Sequence, residues 1–289
     1  MGFVEVEVEA PAPGAGRLVM PPERTVRENF PVALRVLPAR HRRSLGAVYR
    51  YVRLVDDIGD EALPAQRGGL LDVVDRDLDR LYAGRTPTLP AVGALADLIR
   101  DHGIPETPLR EIVQANRQDQ EVLRYATWDQ LIDYCTRSAD PVGHLVLHLF
   151  DAATPERMLL SDRICTALQI IEHCQDVAED FARGRVYLPT DDLRAFGCTD
   201  DDLRALTTPT RLRGVLARVS DRADRLLDAG SPLIGELTGW ARVSVAGYLA
   251  GGRATLDALR AAGYDVLGAP IRPRRTRTLG EALFVLGRK

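Results

Sequence analysis

AVYRYVRLVDDIGDE, residues 47–61, sets four polar side chains along one side of a helix. Tyr49, Arg53, Asp56 and Asp60 follow at spacings of four, three and four, and Leu45, Val48, Val52 and Val55 form an apolar stripe beside them. A helix so composed suits the wall of a pocket better than bulk water. LQIIEHCQDVAED, residues 168–180, repeats the design. Gln169, Glu172, Asp176 and Asp180 share one face, and Ile170, Cys174, Val177 and Phe181 share another. Leu168, Ile171 and Ala178 add apolar surface, so only a narrow polar strip remains. Such a helix is buried, and its acids then need cations. Two such faces opposed across a cavity would form a set of hard oxygen ligands, the kind Mg²⁺ prefers when it shares a substrate diphosphate.

Spacing alone does not single out these pairs. The same DxxxD pattern occurs at Asp75/Asp79, Asp97/Asp101, Asp129/Asp133 and Asp224/Asp228. Context separates them. In VVDRDLDRL, Leu71, Val74, Leu78 and Leu81 make one stripe and alternating charges the other, which is a solvated amphipathic face. DRADRLLDAG reads the same way.

The rest of the chain is helical in pattern. Helical periodicity covers about 40–60, 66–83, 89–102, 106–122, 127–152, 155–183, 209–229 and 232–262. Breaks fall at Gly84, Gly103-Ile104-Pro105, Pro141, Gly184 and Gly230-Ser231-Pro232. Thr154-Pro155-Glu156 and Ser231-Pro232 read as helix starts, with a capping residue before a proline in the first turn. No strand pairs, repeats or low-complexity blocks stand out. The expectation is one all-α domain over 28–289, with helices long enough to enclose a central apolar cavity, behind a flexible leader at 1–27.

Composition narrows the function. The 289 residues are 45% hydrophobic and 27% charged, enough apolar material for a sizeable core. With 38 basic and 41 acidic residues the net charge is −3, and aromatics are 6%, so neither a basic field nor stacking platforms point to nucleic acid. Cys135, Cys165, Cys174 and Cys198 lack CxxC pairing and read as small core residues in a reducing compartment. No signal peptide or membrane-spanning run is visible, which points to a cytoplasmic protein. The end, RPRRTR at 272–277 followed by TLGEALFVLGRK, has two readings: a solvated arm with a packed tip, which is favoured, or a peripheral contact with an anionic membrane face. His144 and His148, spaced i, i+4 in VGHLVLHLF, read as core or cavity-lining groups rather than zinc ligands, because no HExxH accompanies them. His173, beside the acidic strip, has two equal readings: a group that hydrogen-bonds a carboxylate, or a passive one.

Taken in order, ENFPVA at 28–33, VYRYVRLVDDIGDE at 48–61, YCTRSADPVG at 134–143, QDVAEDFARGRVYLP at 175–189 and AGYDVL at 262–267 resemble the squalene/phytoene synthase family, class I enzymes of the all-α isoprenoid synthase fold. Within it, the chain is most similar to the bacterial hydroxysqualene synthases of hopanoid biosynthesis. The resemblance implies that Asp56, Asp60, Asp176 and Asp180 bind Mg²⁺ and the diphosphate, with Asp57 and Glu172 as further acids. It implies diphosphate contacts for Arg53, for Arg183 and Arg185 in FARGRVYLP, and for Gln175 just before Asp176. Tyr134 matches a tyrosine associated with proton handling or cation steering, and Tyr49 another at the cavity edge.

The departures carry information too. Glu172 stands where many members have Asn. Gln175 replaces a common Arg just before Asp176, a substitution typical of the hydroxysqualene synthase branch. Asp140-Pro141 stands for Asn-Pro, and His144 for Arg. The expected reaction is conversion of presqualene diphosphate and water to hydroxysqualene and pyrophosphate. Alternatives are prenyl transfer on the same scaffold, either joining two farnesyl diphosphates or using an aromatic acceptor, and a non-catalytic helical binding protein. No dinucleotide motif is present, although NADPH can be bound without one in this family.

Overall fold

The computed structural model describes residues 37–273. The leader, the ENFPVA segment and the end beyond Pro273 lie outside the described residues. Those described fall into two compact units, Pro38–Glu121 and the described part of Val122–Lys289, with Leu37 belonging to the second. Among them there is no strand; one isolated bridge pairs Arg124 with Val186. No described helix is long and apolar enough to cross a membrane.

The first unit contains α1 (Ala39–Glu61), α2 (Pro64–Tyr82), α3 (Pro90–Gly93), α4 (Ala96–His102) and α5 (Thr107–Gln118). Leu45, Val48, Tyr51, Val55 and Ile58 bury one side of α1, and α2 and α5 pack against that helix. Each fully buried aliphatic chain contributes roughly 1.5–3 kcal/mol. The Tyr51 hydroxyl donates to the Leu109 carbonyl at 2.8 Å, which fixes α1 against α5. Asp77 is buried and accepts from the backbone amides of Thr88 and Leu89, closing the loop before α3.

The second unit contains α6 (Trp128–Ser138), α7 (Asp140–Leu149), α8 (Pro155–Gln175), α9 (Val177–Ala182), α10 (Thr190–Ala195), α11 (Asp200–Leu203), α12 (Thr210–Gly230), α13 (Leu233–Glu236) and α14 (Gly239–Ala261). Its centre is α8, against which α7, α12, α14 and α6 all pack. Close approach is bought with glycine: a Cβ at Gly143, Gly230 or Gly252 would lie 2.3, 2.6 or 2.6 Å from a side chain of α8.

Several expected helices are interrupted. The run at 127–152 breaks at Ala139 because Pro141 cannot donate back into the preceding turn. The run at 155–183 breaks for one residue at Asp176, although backbone bonds from Asp176 to the Glu172 carbonyl and from Asp180 to the Asp176 carbonyl carry through. Thr154 caps α8 as its sequence indicates, accepting from the Arg157 amide. Ser231 does not open the next helix. Its hydroxyl donates to the Asp228 carbonyl and so closes α12. The short α10 and α11 have too few periodic positions to show in the sequence.

Candidate active site

On α1, Asp56 and Asp60 are half-buried and Asp57 is buried. Burial pushes the Asp56 carboxyl up to about 7, and the neighbouring Asp60 charge adds to this, while a hydrogen bond from Asn116 and the Arg53 charge oppose it. Arg53 donates to Asp57, one turn along the same helix, so part of its guanidinium is committed to holding that acid. Burial also raises Asp57, with Arg53 opposing. Behind the last turn of α1, Arg67 donates to the carbonyls of Asp60 and Ala62 at 3.0 and 2.9 Å, and to Gln120 Oε1 at 2.9 Å. Gln120 in turn donates to the Gly59 carbonyl at 3.2 Å.

At the α8–α9 junction, Asp176 and Asp180 are half-buried and Glu172 is exposed. Burial pushes Asp176 up to about 6, reinforced by Asp180 and Glu179 and opposed by His173 and Arg183. His173 is buried, its Nδ1 3.7 Å from Asp180 Oδ2 and its Nε2 3.3 Å from the Gln169 amide. The imidazole stacks on Tyr187, with centroids 3.8 Å apart and planes 12° from parallel. Tyr134, on α6, lies 5.4 Å from the Tyr187 ring and 5.2 Å from Tyr125. This tract is assembled by backbone bonds between two segments: Val186 donates to Leu123, Thr190 to Tyr125 and Asp191 to Ala126. A small cavity borders His173, Asp180, Arg185 and Tyr187.

The remaining expected residues divide. Arg185 is buried beside this cavity. Arg183 is exposed and pairs with Glu179 at 2.9 Å. Gln175 donates to the Ile271 carbonyl at 2.6 Å and so tethers the segment after α14. Tyr49 is half-buried on α1. The unusual Asp140 and His144 both find partners on α8: Asp140 accepts from Thr166 at 2.8 Å, and His144 pairs with Asp162 at 2.7 Å.

The control pairs behave otherwise. Arg110 and Arg117 reach Asp75 at 3.6 and 2.9 Å, and Arg110 reaches Asp79 at 2.6 Å. Asp224 and Asp228 meet Arg260 and Arg253, each at 2.7 Å. Those acids are surface ion pairs. By contrast, the hydrogen bond given to Asp56 comes from a neutral amide.

The donor set fits a hard divalent cation, because desolvated carboxylates one turn apart repel until positive charge is supplied. Among the described residues, no three His, Cys, Asp or Glu side chains form a closed ligand cluster. Open, acid-only sites of this kind leave coordination positions for water and phosphate oxygens, as Mg²⁺ requires.

The family model for squalene/phytoene synthase matches residues 24–279. The chain belongs to this family. It is 35% identical over 215 residues to the hydroxysqualene synthase of Sinorhizobium fredii, covering 73% of this chain and 71% of that protein. Identity to the hydroxysqualene synthase of Rhodopseudomonas palustris is 36% over 213 residues, covering 73% and 71%. The crystal structure of squalene synthase HpnC from Alicyclobacillus acidocaldarius superposes with a TM-score of 0.76 at 41% identity, covering 83% of this chain and 90% of that one. The all-α fold is therefore that of the isoprenoid synthases. Enzymes of the family act on isoprenoid diphosphates and generally depend on a divalent metal.

Asn116, Gly59, Gln120 and Arg67 escaped the sequence reading, as did Tyr125 and Tyr187. A signal for Asn116 does exist. It continues the stripe Leu109, Ile112 and Val113, where an apolar residue is expected.

Proposed function

We propose that this chain converts presqualene diphosphate and water to hydroxysqualene and pyrophosphate, using Mg²⁺. One observation carries the reading: both aspartate pairs of a family that acts on diphosphates are present, with Asp56 and Asp176 desolvated enough to favour a bound cation. The similarity to relatives named hydroxysqualene synthase selects the reaction within the family.

Asp56, Asp60, Asp176 and Asp180 would hold the metal, with Glu172 available beside the second pair. When bound, Mg²⁺ would neutralise charge growing on the departing pyrophosphate. Arg53, aimed by Asp57, and the buried Arg185 are assigned to diphosphate oxygens. Arg183 and Gln175 play smaller parts, since one is exposed and the other holds the Ile271 carbonyl. Tyr134, inside its aromatic tract, and Tyr49 are assigned to steering the cation or its proton. Breaking the C–O bond leaves a cyclopropylcarbinyl cation, which rearranges. A water lone pair then forms the new C–O bond and releases a proton. The domain is proposed to span 28–289 and the enzyme to work in the cytoplasm.

Prenyl transfer is the rival on this scaffold, and the departures at Asp140 and His144 are what favour its aromatic-acceptor form. Since both side chains have partners on α8, their presence is accounted for by packing between α7 and α8. The test is incubation with presqualene diphosphate and Mg²⁺ in ¹⁸O-labelled water, without NADPH, followed by mass spectrometry. A labelled alcohol is expected. No turnover by folded protein, combined with product from farnesyl diphosphate, would transfer the assignment to the rival.

A further inference from the structure

Asn116 lies on α5 with only 7% of its surface exposed. Its Nδ2 donates to Asp56 Oδ1 at 3.1 Å and to the Ile112 carbonyl at 3.2 Å. Both partners are acceptors, so only the NH₂ end of the amide can face them, and its orientation is fixed by chemistry. The other end lies against Gly59. A Cβ placed there would stand 2.2 Å from Asn116 Oδ1 and 3.2 Å from its Cγ. No side chain tolerates that approach, so residue 59 must be glycine while the amide keeps this position.

A buried amide costs free energy unless its hydrogen bonds are made, and an apolar residue of the same shape would continue the α5 stripe without that cost. The amide therefore does something packing does not require. It holds one oxygen of Asp56 and so restricts rotation of the carboxylate. The Gln120 and Arg67 bonds to the carbonyls of Gly59 and Asp60 pin the turn on which this happens.

We infer that Asn116 is a positioning residue for the metal-binding face of α1, and that Gly59 is the opening that admits it. The inference rests on the proposed role of Asp56 as a metal ligand. Partners that orient a ligating carboxylate typically contribute 10- to 100-fold in metal affinity, so the loss expected on removing the donor is about tenfold.

The experiment titrates Mn²⁺ into the full-length protein with farnesyl thiodiphosphate present, reading the free ion by electron paramagnetic resonance. Asn116→Leu keeps the shape and removes the donor. It should bind Mn²⁺ about tenfold more weakly, and raise the half-saturating Mg²⁺ for turnover by the same factor. At saturating Mg²⁺ its kcat should stay within about twofold of the parent, and its metal-free thermal unfolding should not fall. Gly59→Ala, by displacing the amide, should match Asn116→Ala, and combining the two should add nothing. Unchanged Mn²⁺ affinity in Asn116→Leu, while Asp56→Ala loses it, would overturn the inference and leave the role of Asp56 intact; additive effects in the cycle would do the same. Unchanged affinity in Asp56→Ala would overturn both.

Discussion

Asp56 on α1 is held by a neutral amide from another helix, whereas Asp176 and Asp180 face the imidazole of His173, a few residues back across the α8–α9 junction. The amide fixes geometry and leaves the local charge unchanged. The imidazole is a ring as well as a hydrogen-bonding group, and Tyr187 stacks on it. Burial raises both Asp56 and Asp176, opposed at the first by the Asn116 hydrogen bond and the Arg53 charge and at the second by His173 and Arg183. Two carboxylate pairs with one spacing are thus tuned by different neighbours. The i, i+4 pattern locates the acids, burial sets most of their demand for a cation, and the neighbours moderate it.

Removing either pair is the harshest way to break this comparison. Asp56→Ala and Asp176→Ala should each lower Mg²⁺-dependent pyrophosphate release on the order of 10³-fold, with unchanged circular dichroism. Retention of activity by one variant would show that its pair is dispensable. The arginines come next. Arg53→Met leaves Asp57 buried without its cation and should cost about 3 kcal/mol in urea unfolding.

The carboxyl shifts make both sites sensitive to pH. A carboxyl raised in the folded state keeps a proton that the unfolded chain releases. Metal-free stability should therefore fall as pH rises from about 4 to about 7 for Asp56, and from about 4 to about 6 for Asp176. Mg²⁺ competes with that proton, so its effect on the melting temperature should be larger at pH 8 than at pH 6. In Asp56→Asn the pH dependence should shrink to the part that Asp176 contributes. A Mg²⁺ effect independent of pH would show that these carboxylates do not bind it.

His173→Phe keeps a ring against Tyr187 and removes both nitrogens. It should weaken Mn²⁺ binding about tenfold, measured as for Asn116→Leu. Equal affinity would make the imidazole a packing group and dissolve the contrast between the sites. Arg183→Met, from an exposed pair with Glu179, should change stability by less than about 1 kcal/mol, in contrast to Arg53→Met.

The all-helical architecture was legible in the sequence, and the acids and Arg53 could be nominated, because each depends on side chains within one helix. Tyr49, Arg53, Asp56 and Asp60 announce themselves by spacing. Asn116 does not, because its partner lies 60 positions away and only the packing of α5 on α1 joins them. Tyr187 was hidden for a similar reason: a few backbone bonds to 123–126 carry it to Tyr134. Gln175 and Arg183 looked like ligands because they adjoin the motif, but adjacency in sequence does not say where a long side chain ends. The Ile271 carbonyl and Glu179 take them instead. The isolated break at Asp176 left no trace in the periodicity because the backbone bonds run through it.

The fit of Asn116 into the space at Gly59 also constrains descent. A lineage carrying both residues can acquire a side chain at 59 only after the amide has gone. Once alanine is established at 59, a return to asparagine at 116 meets a closed door. Gly59 should therefore be invariant wherever 116 is asparagine and free to drift elsewhere, so that the order in which two ordinary substitutions arrive decides which is permitted.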